Sequence, residues 1–185
     1  MSLYELMKDH DARTEHVFDV FDAISTKPAD FDSVGFEQAF LKSLFIESFS
    51  DAENARAKAV DILREVHDVA PFVVLRATSI VQSIATDLSE TGIVGQQKVK
   101  QKDQYLVRLN AITFLKDIQR YAPGLMSDKL ISKIANDVIN SDPSMAVATS
   151  AIYLIDPKAQ QNLHSRVYNR LNAVRNTQRL SPKPF

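Results

Sequence analysis

The sequence predicts an all-α protein of about eight helices, arranged as stacked antiparallel hairpins in a short α-solenoid or an irregular helical bundle. Three observations carry that expectation. Apolar residues recur at steps of three and four, while the strand period of two is nearly absent. Ser-x-x-Glu capping boxes and Asp-Pro pairs mark helix starts along the chain. Glycine occurs only four times in 185 residues, too rarely for glycine-rich phosphate loops or turn-rich β architectures. With 45% apolar and 24% charged residues, the chain has ordinary globular composition and is long enough to bury a core without staples.

Taken in order, Ser2 and Glu5 form a capping box opening a helix to about Ser25. Its seam is Leu3, Met7, His10, Thr14, Val17, Phe21 and Ile24. The run Lys27-Pro28-Ala29-Asp30 breaks it. A second helix is expected over 33–48, with Phe36, Phe40 and Leu44 on one face and Leu41 and Phe45 beside them. Ser50 and Glu53 read as the next capping box, starting a helix whose stripe is Ala59, Ile62, Leu63, Val66 and Val69. Pro71 ends or kinks that helix, and a fourth continues to about Leu88 through Leu75, Ile80, Val81 and Ile84.

Residues 91–103 (TGIVGQQKVKQKD) hold two glycines, three glutamines and three lysines, and read as an exposed mobile loop. Asp103 then caps a helix to about Tyr121, which Pro123-Gly124 stops, and Ser127 caps another to about Asn140. Asp142-Pro143 and Asp156-Pro157 each place a cap residue before a proline suited to the first helical turn. They predict a short helix to Ile155 and a longer one to about Arg175. The expected organisation is one domain over 1–176: acidic N-terminal helices at 2–48, hairpins at 50–90 and 103–140, and a final hairpin at 143–175. A flexible basic tail at 177–185 completes the chain.

An internal repeat is visible. Residues 56–71 (RAKAVDILREVHDVAP) align without gaps to 108–123 (RLNAITFLKDIQRYAP). The identities are Arg56/Arg108, Ala59/Ala111, Leu63/Leu115, Ala70/Ala122 and Pro71/Pro123. The following segments, 79–88 and 129–138, share Ile84/Ile134, Ala85/Ala135 and Asp87/Asp137. A weaker third copy begins at Ala151. Small residues would allow close helix approach, leucines would fill the core, and the proline would fix the turn. On these residues, together with the stretch from Val107 to Pro123 and from Asp142 onward, the chain resembles the helical hairpins of HEAT and armadillo repeat proteins over about 53–175. The resemblance implies a stacked array that presents surfaces to protein partners. The segment 91–103 and the first fifty residues depart from a regular array.

Formal net charge is −1, but it is unevenly spread. Residues 1–56 hold twelve acids and five bases, whereas 104–185 hold five acids and eleven bases. Such polarity bears on association rather than fold. Cysteine is absent, which excludes disulfides, thiolate metal sites and a cysteine nucleophile. No nucleophile elbow, zinc-binding H-E-x-x-H, P-loop or dinucleotide fingerprint occurs. No catalytic residue, metal site or cofactor is therefore expected.

Of the four histidines, His10 lies in the first seam and reads as a partly buried, hydrogen-bonded side chain. His16 points about 120° away from it on an ideal helix, so the two cannot easily share a metal. His67-Asp68 reads as a contact at a helix end, and His164 falls in the last helix. Asp11, Glu15, Asp19 and Asp22 step by four, four and three along one helical face. Four stacked carboxylates could take a hard cation or a basic partner, and otherwise form a solvated acidic face. No oxygen-rich loop completes a cation site, so a basic protein segment fits better than a metal. In the last helix Leu163, Val167, Leu171 and Val174 make the apolar stripe, flanked by Arg166, Arg170, Arg175 and Arg179. Arginine suits bidentate contact with carboxylate or phosphate.

These features lead to a non-enzymatic helical interaction or scaffold protein that binds another protein or self-assembles. The alternative is a nucleic-acid-binding protein using Arg166 and Arg170 with Lys98, Lys100 and Lys102. Residues 1–11 carry Glu5, Asp9 and Asp11 before any apolar run, unlike a targeting peptide, and no apolar stretch reaches the ~18–20 residues of a membrane span. A cytoplasmic protein without membrane contact is the expectation.

Overall fold

A computed structural model describes residues 10–27, 31–88 and 104–157. Among them are seven helices and no strand: α1 (His10–Thr26), α2 (Ser33–Ser43), α3 (Phe49–Val66), α4 (Pro71–Ala85), α5 (Gln104–Tyr121), α6 (Asp128–Ser141) and α7 (Met145–Ile155). The all-α expectation therefore holds. The helix start at 2–9, the segment 91–103, the eighth helix and the tail at 177–185 lie outside the described residues.

Contacts run along two rows. α1 packs on α3, α3 on α5 and α5 on α7, while α2 packs on α4 and α4 on α6. The rows are tied together where α1 meets α2, α4 meets α5 and α6 meets α7. The seam of α1 follows its sequence pattern, with Val17, Phe21 and Ile24 all buried. From it an aromatic ladder crosses the core. Phe21 meets Phe36 at 5.7 Å between ring centroids, Phe36 stacks on Phe40 at 5.9 Å, and Phe40 meets Phe114 edge-on at 4.9 Å. Offset and edge-on arrangements of this kind are the favoured ones for aromatic pairs. No helix among the described residues is long and apolar enough to cross a membrane.

Several boundaries differ from the sequence expectation. α2 ends at Ser43 rather than 48, because Leu44, Phe45 and Ile46 turn tightly, each N–H donating to the carbonyl three residues back. That turn inserts Leu44 and Ile46 into the core. α3 starts at Phe49, and its cap is Ser48, whose hydroxyl accepts from the Asp51 N–H, so the Ser50–Glu53 capping box is not used. Asp32 caps α2 and Ser127 caps α6, each by accepting a backbone N–H in the first turn. Pro71 is the first residue of α4, the position where its missing N–H costs least.

The sequence-aligned positions share their burial. Ala59 and Ala111, Leu63 and Leu115, and Arg56 and Arg108 are all buried. Their prolines do not correspond. Pro71 opens α4, whereas Pro123 sits in a six-residue connection before α6, next to Gly124 at φ +92°. The Asp142-Pro143 pair also differs from expectation. Ser144 is the residue preceding α7, Pro143 lies outside the helix, and Asp142 follows the end of α6.

Candidate functional site

Two arginines organise the polar interior. Arg56, 5% exposed, donates from Nε to Asp117 Oδ2 at 2.9 Å and from a terminal nitrogen to Asn110 Oδ1 at 3.3 Å. Asn110 in turn donates through Nδ2 to the carbonyls of Leu44 (3.0 Å) and Ile46 (3.1 Å). The carbonyl between them, Phe45 O, accepts from Arg13 at 2.9 Å. The α2–α3 link is thus held from both sides, by α1 and by α5. Buried backbone carbonyls need such partners.

Arg108, 6% exposed, forms a bidentate pair with Asp142 at 2.6 and 3.2 Å. Asp142 Oδ1 also accepts the Ser144 N–H at 2.7 Å. The carboxylate expected to cap a helix instead neutralises a buried guanidinium and orders the turn into α7. Arg56 and Arg108 thus each have a carboxylate partner within the fold.

The predicted acidic face is placed on α1. Glu15, Asp19 and Asp22 are exposed, and the side chain of Asp11 lies outside the described residues. Asp22 is not available as a free ligand: it forms an ion pair with Lys58 of α3, and the Lys58 ammonium also lies 5.9 Å from the Phe18 ring centroid. Among the described residues no group of three or more metal-ligating side chains comes together. Lys98, Lys100, Lys102, Arg166, Arg170, Arg175 and Arg179, as well as His164 and the His10 side chain, lie outside the described residues. His67 Nδ1 sits 3.0 Å from Asp68 Oδ1 just past α3, a contact at a helix end as its position suggested.

The outer face of α4 holds residues that the sequence assigned elsewhere. Leu75, read as part of the apolar run of the fourth helix, is 70% exposed, and Val69, read as the end of the α3 stripe, is 81% exposed. Phe72, one turn before Leu75, is 54% exposed. α4 is apolar on both sides: Val73, Val74, Ala77, Val81 and Ile84 fill the core, and Phe72 and Leu75 face away from it. Arg76 of α4 reaches Glu37 of α2 at 3.3 Å. Val34, one turn before Glu37, is also exposed. Exposed apolar residues of α4 and α2 thus lie on the same two helices as the Arg76–Glu37 ion pair.

A shallow cleft of ≈ 330 Å³ lies at the α5–α6 connection, lined by Ile118, Gln119, Pro123, Gly124, Met126, Asp128 and Ile131. Asp128 is the one carboxylate in its lining. Comparison with known proteins gives no match: no family model, curated protein or solved structure resembles this chain closely enough to assign it.

Proposed function

We propose that this chain is a helical interaction protein that holds another protein on the outer face of α4, without catalysing a reaction. The observation that carries this reading is the exposure of Phe72 and Leu75 on a helix whose opposite face is already buried, with exposed Val69 just before it. Scattered surface apolar residues are ordinary, but three within seven positions on one rigid helix and its lead-in form an anchor. The stacked rows support the reading, since helical hairpins of the HEAT and armadillo type present surfaces of this kind. The uneven charge of the chain would add steering toward a partner of complementary sign, or toward a second copy met head to tail.

The test compares wild type with Phe72→Asp/Leu75→Asp in binding and sedimentation measurements. Loss of association with an unchanged melting temperature supports the reading; unchanged association in the variant contradicts it. The second reading, nucleic-acid binding, draws on the six bases and no acids in residues 157–185. Anisotropy of a labelled oligonucleotide separates the two. Nucleic-acid binding weakens steeply with salt and is insensitive to the α4 substitutions.

A further inference from the structure

The link between α3 and α4 is a tight corner. α3 ends at Val66, and the N–H groups of Val69 and Ala70 both donate to the Val66 carbonyl, at 3.2 and 2.7 Å. Pro71 begins α4 directly after this turn. Val69 therefore lies close before Phe72, and Phe72 and Leu75, three apart on α4, are neighbours on its surface. All three are exposed. The same corner carries charge of one sign. Glu65 and Asp68 are exposed, and among the described residues neither meets a lysine or an arginine. The His67 imidazole stands beside Asp68. The nearby cations are already paired, Arg64 with Asp61 and Arg76 with Glu37. An apolar corner next to acids of this kind suits an apolar stripe edged with cations.

We propose that this corner takes residues 163–174 of a second copy of the chain. The proposal rests on the reading of α4 as a protein-binding face and names the partner. The described residues end at Pro157, and residues 158–185 follow them. In that stretch Leu163, Val167, Leu171 and Val174 recur at steps of four, four and three, interleaved with Arg166 and Arg170. Residues 157–185 hold six bases and no acid, the complement of Glu65 and Asp68. The apolar side chains supply the affinity, and the opposite charges set the register and the rate of encounter. Corner and segment are different parts of the molecule, so each copy offers one of each. The contact is therefore head-to-tail and can repeat from copy to copy.

The experiment is complementation between two variants of the full chain, read by sedimentation velocity. Phe72→Asp/Leu75→Asp disables the corner, and Arg166→Glu/Arg170→Glu disables the segment. Wild type should associate as its concentration rises, and each variant alone should stay monomeric. Mixed in equal amounts, the two variants should form a 1:1 dimer and nothing larger. The corner variant lends its intact segment to the intact corner of the other, and no further contact remains. A monomeric wild type, a segment variant that associates like wild type, or a mixture that stays monomeric overturns the proposal. A segment variant that still associates, while the corner variant does not, sinks this partner and leaves α4 as the binding face. Wild-type association that survives Phe72→Asp/Leu75→Asp contradicts the α4 reading itself. Unchanged melting temperatures show that the variants fold. Should the charge reversal unfold the chain, Arg166→Gln/Arg170→Gln takes its place with the same expected outcomes.

Discussion

At the scale of single residues, the two buried arginines depend on their carboxylate partners. Arg108 has a partner in Asp142, so removing the partner strands a charge inside the protein. Asp142→Ala should destabilise by about 3–5 kcal/mol in urea unfolding. Arg64→Ala, which breaks an exposed pair with Asp61, should change stability by less than about 1 kcal/mol. Equal effects would contradict the division between structural and surface pairs. His16 and Lys42 both bind their protons more weakly in the folded state than in the unfolded state. Between the folded and unfolded values the unfolded chain therefore holds more protons, and stability rises with pH across that window. For His16 the window lies below about pH 6.5, so acidification should cost stability there. His16→Gln should remove that part of the pH dependence, as read from melting temperatures at fixed ionic strength. An unchanged profile in the variant would contradict the burial of this imidazole.

At the scale of elements, the helices and their inward faces were legible because burial follows the 3.6-residue period. Val17, Phe21 and Ile24 in α1, and Phe36, Phe40 and Leu44 around α2, are buried as their spacing implies. What periodicity does not settle is which side of an apolar helix finds a partner. α4 carries apolar residues on both its inner and outer sides, so Leu75 and Ile84 both read as apolar in sequence yet end on opposite sides of the helix, one exposed and one buried. Caps misled for a different reason: Ser48 and Ser50 are both competent, and the tight turn that buries Leu44 and Ile46 selects the earlier one. Asp142 has the look of a cap before proline, and only the distant Arg108 gives it another role. Lys42 carries no sequence signal of its low exposure. The turn linking α2 and α3 gives a direct check. Asn110→Ala leaves the Leu44 and Ile46 carbonyls without their donor and should cost about 1–3 kcal/mol. Leu63→Ala and Leu115→Ala, each creating a cavity at a fully buried site, should cost about 2–5 kcal/mol. A loss below 1 kcal/mol at either leucine would show that the core does not close around it.

At the scale of the whole molecule, two rows of packed helices bury the inward faces, and Phe72 and Leu75 are among the apolar side chains left exposed on the described residues. Nothing in the stability of the fold requires Phe72 or Leu75, because neither contributes to the core. Under the proposed function, their exposure serves contact with a protein partner. The charge imbalance between residues 1–56 and 104–185 works at longer range, where the Debye length is ~10 Å at 0.1 M salt and ~3 Å at 1 M. Association through α4 should accordingly survive high salt, while charge-driven association should fade. The most direct measurement places a photo-activated cross-linking residue at Phe72, at Leu75, and at exposed Lys133 of α6 as a control, in the full chain in its native cell. The account predicts one discrete cross-linked protein species from positions 72 and 75 that is absent from position 133. The same species from all three positions, or none from 72 and 75, would contradict it.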